Sequence, residues 1–223
     1  MDELLLRERR FVRAHRYFRI FYCALSCALA LVYALRSDAY HFFSTLGTLA
    51  VPLGLWLFYR LTRLRPVRQL DLYILAFALL AYTLGTCLDL YRLWPGYDKL
   101  VHGLSGVLTS TLCIALFLGL RPNHRLAPDE LALAMLFTFF GSMAVAGLWE
   151  ISEYGVWLAT GRDVQHVLDT GVADTMQDMI VCMLGTLATL PALARMARGR
   201  FGFIGGAAQT FAHFNFGPAR TEC

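Results

Sequence analysis

Six apolar stretches, each about 20 residues long, constrain this chain more than any other feature of its sequence. They cover approximately residues 17–35, 40–59, 72–91, 100–120, 131–158 and 174–194. An α-helix of about 20 residues crosses the hydrocarbon core of a bilayer, and in lipid it satisfies its own backbone hydrogen bonds. The chain is 57% hydrophobic and only 16% charged, whereas about a quarter of the residues of a soluble domain are charged. The sequence therefore predicts an all-α fold, a polytopic membrane helix bundle with six transmembrane helices.

No stretch of the sequence is both long and polar enough to fold as a separate soluble domain. We predict one transmembrane helical domain over residues 1–194, with a core of polar residues at 97–187, and a basic, glycine-rich cytoplasmic tail at 195–223. The six cysteines show no spacing typical of metal ligands or disulfides. The apolar spans make the lipid bilayer an expected partner. Nucleic acid is not expected, because the arginines lie in short loops and not on one face.

The distribution of basic residues predicts the orientation of the helices. With six spans, the N-terminus, the loops after the second and fourth spans, and the tail share one side of the membrane. That side carries 16 of the 20 lysine and arginine residues, all except Arg36, Arg92, Lys99 and Arg162. Because cytoplasmic loops are enriched in these residues, both termini are predicted to lie in the cytoplasm.

Acidic and imidazole side chains occur at the ends of three spans. They are Asp98 and His102, Glu150 and Glu153, and Asp174 and Asp178. The predicted topology, which depends only on the lysine and arginine residues, brings all of them to the extracytoplasmic face. Ionisable residues inside membrane spans are costly, so they indicate a functional site.

Helical spacing supports a shared site. Within each pair the two residues are three or four positions apart and therefore share one face of a helix. The same faces continue with the small residues Gly106, Ser142, Ala146 and Gly185, which are typical of faces where membrane helices approach closely. We therefore expect the fourth, fifth and sixth spans to pack together.

Each of these residues also has a simpler interpretation. Asp98 could be the N-cap of the fourth span, and Asp174 with Gln177 could form a capping box at the start of the sixth. His102 taken alone could be a hydrogen-bonded packing residue. Capping does not explain Asp178, which lies one turn inside its span. The two glutamates are the hardest to explain without a function.

Five carboxylates in one low-dielectric pocket cannot all remain ionised without compensation. The compensation could come from a bound metal, shared protons, open water, or a basic partner such as Lys99 or Arg162. Carboxylates with an imidazole suit Mg²⁺, Mn²⁺ or Zn²⁺. The expected metal ligands are His102, Glu150, Glu153, Asp174 and Asp178. In an enzyme, Asp98 would join them as catalytic residues.

Three blocks of the sequence resemble the YjdF family of bacterial inner-membrane proteins. The blocks are Tyr97-Asp98-Lys99 with His102 and Gly106, then Glu150 with Glu153, then Asp174-Thr175 with Asp178-Met179. The first block is also similar to the opening of VanZ-like envelope proteins, but that family has glutamine and asparagine where this chain has a second Glu and a second Asp. The resemblance implies a multi-pass protein of the bacterial inner membrane and cell envelope, and it implies no particular reaction.

Three functions remain open from the sequence. The first is a divalent-cation site with hydrolytic or phosphotransfer action on a lipid or envelope precursor, although the usual hydrolase and transferase motifs are absent. The second is a proton- or cation-coupled transporter, although the sequence has no inverted repeat. The third is a non-catalytic structural or accessory membrane subunit whose acids hydrogen-bond between helices.

The predicted orientation can be tested by cysteine labelling. Cysteines introduced at Gly96 and Arg162 should be labelled from the outside of the membrane, and cysteines at Arg65 and Arg121 from the inside, because of the distribution of basic residues. The reverse pattern would contradict this orientation and would move the polar site to the cytoplasmic face.

Overall fold

A computed structural model describes residues 2–165 and 167–217. The described chain is helical and contains no strand. Its α-helices are α1 (Asp2–Leu35), α2 (Ala39–Thr48), α3 (Ala50–Thr62), α4 (Arg68–Ala78), α5 (Leu90–Leu93), α6 (Tyr97–Gly119), α7 (Leu131–Thr160), α8 (Val167–Thr170), α9 (Ala173–Ala197) and α10 (Phe203–Phe216). A π-helical stretch (Leu79–Cys87) continues α4, and a 3₁₀ turn (Pro128–Glu130) precedes α7.

Six segments of the described chain are long and apolar enough to cross a membrane. They are Leu4–Leu35, Ala39–Thr62, Arg68–Cys87, Tyr97–Gly119, Pro128–Thr160 and Ala173–Ala197. The predicted fold class, an all-α membrane protein with six spans, is therefore confirmed. The placement of both termini in the cytoplasm stays a prediction.

The described chain divides into two compact units. The first unit contains residues 2–97 and 209–217, and the second contains residues 98–165 and 167–208. All six acidic and imidazole residues singled out in the sequence belong to the second unit. In the first unit, Tyr22, Leu75 and Ala78 form a buried cluster that joins α1 to α4.

The second spanning segment consists of two helices and not one continuous helix. The helix breaks at Leu49, between α2 and α3, because Pro52 has no backbone N–H and cannot donate to the carbonyl of Thr48. The Tyr22 hydroxyl of α1 donates to that carbonyl instead, at 3.0 Å. A side chain from the neighbouring helix therefore supplies the hydrogen bond that the proline removes.

The second unit is held together where α6 and α9 approach closely. A Cβ atom on Gly106 would overlap the carbonyl of Cys182, and a Cβ on Gly185 would overlap the carbonyl of Gly103. α7 joins both helices through the Ser142 hydroxyl, which is within hydrogen-bonding distance of hydroxyl groups on α6 and α9. The prediction that the fourth, fifth and sixth spans pack together is confirmed.

Part of the sequence that follows the sixth span is an ordered helix. α10 covers residues 203–216, and its buried residues include Ala208 and Ala212. The side-chain amide of Asn215 bonds both the backbone N–H and the carbonyl of Arg65, in the loop before α4. Residues 218–223 of the predicted tail lie outside the described residues.

We expect Gly106→Leu and Gly185→Leu each to lower the melting temperature of the detergent-solubilised protein by about 5 °C. The new side chain would have to displace backbone atoms of the facing helix, which cannot move as a flexible side chain can. Differential scanning fluorimetry would measure the shift. Gly147→Leu is the matched control, because a Cβ there meets no atom within 4 Å. Equal melting temperatures for all three variants would contradict the close packing.

Candidate functional site

The first turns of α6 and α9 place the acidic residues of the second unit. α6 begins at Tyr97, so Asp98 is already inside the helix. α9 has Val172 as its N-cap residue, with no side-chain capping bond, so Asp174 is inside as well. The capping interpretation is therefore wrong for both aspartates. Carboxylates in a first helical turn still interact favourably with the helix dipole.

The Lys99 ammonium lies at the centre of these carboxylates. Its Nζ is 2.8 Å from Asp178 Oδ1, 2.5 Å from Asp174 Oδ1 and 3.2 Å from Asp98 Oδ2. Because Lys99 belongs to α6 while Asp174 and Asp178 belong to α9, the ammonium links the two helices. We call these four residues, together with His102, the Lys99 network.

His102 completes the network on the α6 side. It is buried, and its Nε2 is 3.5 Å from Asp98 Oδ1 and 3.9 Å from Asp178 Oδ1. The side chain of Asp178 is only 2% exposed, whereas that of Asp98 is 37% exposed. The network therefore runs from a buried acid to one that solvent or lipid head groups can reach.

Three residues of the network meet the geometric requirement for a shared ion. Asp98, His102 and Asp178 each offer one ligand atom, and these atoms lie within 4.8 Å of one another. They form the single such group found in the described part of the chain. The predicted ligand set contained His102 and Asp178 but also Glu150, Glu153 and Asp174, and it did not contain Asp98; in the structure Asp174 pairs with Lys99.

The two glutamates of α7 lie outside the ion-pair network. Glu150 is buried, and the Gln165 amide donates to its backbone carbonyl at 3.0 Å and to its carboxylate at 3.4 Å. Glu153 accepts a hydrogen bond from the indole N–H of Trp149 at 2.8 Å. Glu153 also interacts electrostatically with His102 at longer range. The structure therefore puts Glu153 beside the network and gives Glu150 a neutral partner.

A chain of hydroxyl groups links the three helices further inside the second unit. Thr109 Oγ1 is 2.6 Å from Ser142 Oγ, which is 2.8 Å from Thr186 Oγ1. Ser105, between this chain and the network along α6, donates to the carbonyl of His102 at 2.7 Å. Polar groups therefore continue from the network toward the middle of the three spans.

Sequence reasoning missed the roles of two residues. Lys99 was one of several options for charge compensation, and the structure makes it the common partner of three acids. Its position next to Asp98 in a basic-poor segment was the available signal. Gln165 gave no signal, because it lies in a polar loop 15 positions from Glu150. His166 lies outside the described residues.

Comparison with known proteins places the chain in a family. The model of the family described as "Predicted membrane protein (DUF2238)" matches residues 15–199, which is most of the chain. No curated protein and no solved structure matches. The YjdF-like proteins, which the three polar blocks resemble, are this family. The matched region contains all six spans except the start of the first, and the chain belongs to this family of predicted membrane proteins.

Proposed function

We propose that this multi-pass membrane protein binds a divalent cation at the Lys99 network. The observation that supports the proposal is that three aspartates, with His102 beside them, already converge on a positive charge, the Lys99 ammonium. The side chain of Lys99 is flexible and 23% exposed, so it can leave. A metal ion would then meet carboxylate oxygens and an imidazole nitrogen, the donors suited to Mn²⁺, Zn²⁺ or Mg²⁺.

The network carries more negative than positive charge, which favours exchange of the ammonium for a divalent cation. Lys99 carries one positive charge against the three aspartates around it, and Glu153 adds a further acid nearby. Like charges at these separations repel strongly in a low-dielectric environment. A divalent ion that displaced the ammonium from Asp98 and Asp178, with His102 as a further ligand, would offset more of this negative charge than Lys99 does.

We extend the proposal to the setting that the family resemblance implies. In the bacterial inner membrane, an ion at this site would face the cell envelope under the predicted topology. A bound divalent ion could polarise a phosphoryl oxygen or activate water. A lipid or envelope precursor would then be the ligand, and hydrolysis or phosphotransfer the reaction.

Lys99→Met tests whether the site binds a cation. Because the ammonium competes with a metal for the same carboxylates, its removal should tighten Mn²⁺ binding by roughly tenfold. Isothermal titration of the detergent-solubilised protein would measure the affinity. Mn²⁺ should also raise the melting temperature of Lys99→Met more than that of the original protein.

Two matched variants make this result interpretable. Lys99→Arg keeps the positive charge and should bind Mn²⁺ no more tightly than the original protein. Adding Asp178→Asn to Lys99→Met should abolish the gain. If Lys99→Met neither binds Mn²⁺ nor regains stability with it, the network is a structural ion-pair cluster, as expected for an accessory subunit.

A second candidate function is proton- or cation-coupled transport. The hydroxyl chain of Thr109, Ser142 and Thr186 favours it, because this chain lies further along the helices that carry the network. The side chains of Ser110 and Thr138 are also buried, without a hydrogen-bond partner among the described residues. Ionisable residues inside membrane spans mark ion and proton pathways, and these hydroxyls would extend such a pathway from the Lys99 network.

Ser142→Ala tests the transport candidate. In liposomes with an internal pH dye and an imposed potassium diffusion potential, the original protein should acidify the interior faster than empty liposomes. Ser142→Ala should slow this by about tenfold, because it breaks both hydroxyl contacts. Ser152→Ala is the matched control, since that exposed serine of α7 bonds only its own helix. Equal rates for both variants would exclude a role for the hydroxyl chain.

A further inference from the structure

A pocket of about 160 Å³ opens in the first unit, between α1, α3 and α4. It combines basic, aromatic and apolar side chains. Its lining includes His15, Arg19, Leu55, Trp56, Arg68 and Asp71. None of them contributed to the site predicted from the sequence.

Asp71, the one acid among the described residues that line this pocket, forms an ion pair with Arg68. Asp71 is 2% exposed, and its Oδ1 accepts a hydrogen bond from the Tyr59 hydroxyl at 2.6 Å. Its Oδ2 accepts from the Arg68 guanidinium at 3.1 Å, and His15 Nε2 is 3.8 Å away. Asp71 therefore orients Arg68 and Tyr59 and leaves no uncompensated negative charge in the wall.

Arg19 adds a positive charge at the mouth of the pocket, whereas Arg68 lies between Asp71 and the Glu8 carboxylate, which accepts from the Arg68 backbone N–H at 2.7 Å. Arg19 interacts with His15 and Asp71 electrostatically, but forms no hydrogen bond or ion pair with another described residue. Its side chain is exposed at the mouth of the pocket. Its guanidinium can therefore donate to an anion, next to Arg68, whose charge is shared with Asp71.

The position of Arg19 along α1 puts the pocket near the membrane boundary. Arg19 precedes the end of α1 at Leu35 by 16 residues, or about 24 Å of helix. The hydrocarbon core is about 30 Å thick, so the guanidinium can extend to the level of the lipid head groups. Trp56, with Arg60 stacked 5.2 Å from its ring centroid, is typical of the interfacial aromatic belt.

We propose that this pocket binds the phosphate group of an anionic phospholipid. Arg19 and Arg68 supply charged donors for the phosphate oxygens, the pairing for which arginine geometry is suited. Leu55 and Trp56 provide an apolar wall for the glycerol and the first acyl carbons. The predicted orientation makes the cytoplasmic leaflet the source of this lipid.

Thermal shift with defined lipids tests the proposal on the full-length, detergent-solubilised protein. Short-chain phosphatidylglycerol should raise the melting temperature at lower concentration than phosphatidylcholine, which carries a compensating positive charge. Arg19→Gln should weaken the apparent phosphatidylglycerol affinity by roughly tenfold, since it removes a charged hydrogen-bond donor. Arg19→Lys keeps the charge and should retain most of the affinity.

Arg13→Gln is the matched control, because it removes the same charge from an exposed position of α1 that does not line the pocket. Equal weakening by Arg13→Gln and Arg19→Gln would show a general surface-charge effect and would overturn the site. Equal stabilisation by the two lipids would overturn it as well. If inorganic phosphate alone reproduced the shift and blocked phosphatidylglycerol, the ligand would be free phosphate and the lipid assignment would be wrong.

Discussion

The contact between the Lys99 ammonium and three aspartates is the interaction on which the second unit depends. It joins the first turns of α6 and α9, and a few residues further on Gly106 and Gly185 bring the same two helices into backbone contact. Removing Lys99 would leave the buried Asp178 carboxylate without its cation, which costs about 3–5 kcal/mol in a fully buried pair and less here because the ammonium is 23% exposed. Close packing sets the distance between α6 and α9. The Lys99 ammonium compensates the negative charge of the aspartates that this distance brings together. Neither feature is sufficient alone, since packed helices would otherwise hold repelling carboxylates together.

The sequence predicted the parts of this structure that depend on composition and periodicity. The number of spans, the location of the acids at helix ends and the small residues on the packed faces all follow from rules that act along one helix. The partner of each acid does not, because it depends on side-chain rotamers and on the register between helices. Lys99 could have faced water, and Gln165 is separated from Glu150 by the end of α7. Pro52 indicated a missing helical hydrogen bond but could not by itself predict a break, because α9 stays helical through Pro191.

Hydroxyl groups in the second unit serve packing whatever else they do. Lipid provides little hydrophobic force between helices, so membrane helices associate through close contact and interhelical hydrogen bonds. Ser142 satisfies both requirements, being small, buried and bonded to α6 and α9. In a transporter these hydrogen bonds would also have to rearrange, because a proton pathway requires hydroxyl groups that can exchange hydrogen-bond partners. Packing alone would favour a fixed arrangement.

Because of the joint between α2 and α3, the second span of the first unit resists bending less at Leu49 than elsewhere. A continuous helix resists bending through its i→i−4 backbone hydrogen bonds, and proline removes one of these bonds. At this joint the Tyr22 hydroxyl donates to the Thr48 carbonyl in place of the missing backbone N–H. This hydrogen bond can lengthen without unwinding either helix. Bending of this span is therefore cheapest at Leu49. α3 carries Trp56 and Tyr59, so rotation about the joint would change the width of the pocket without disturbing α2.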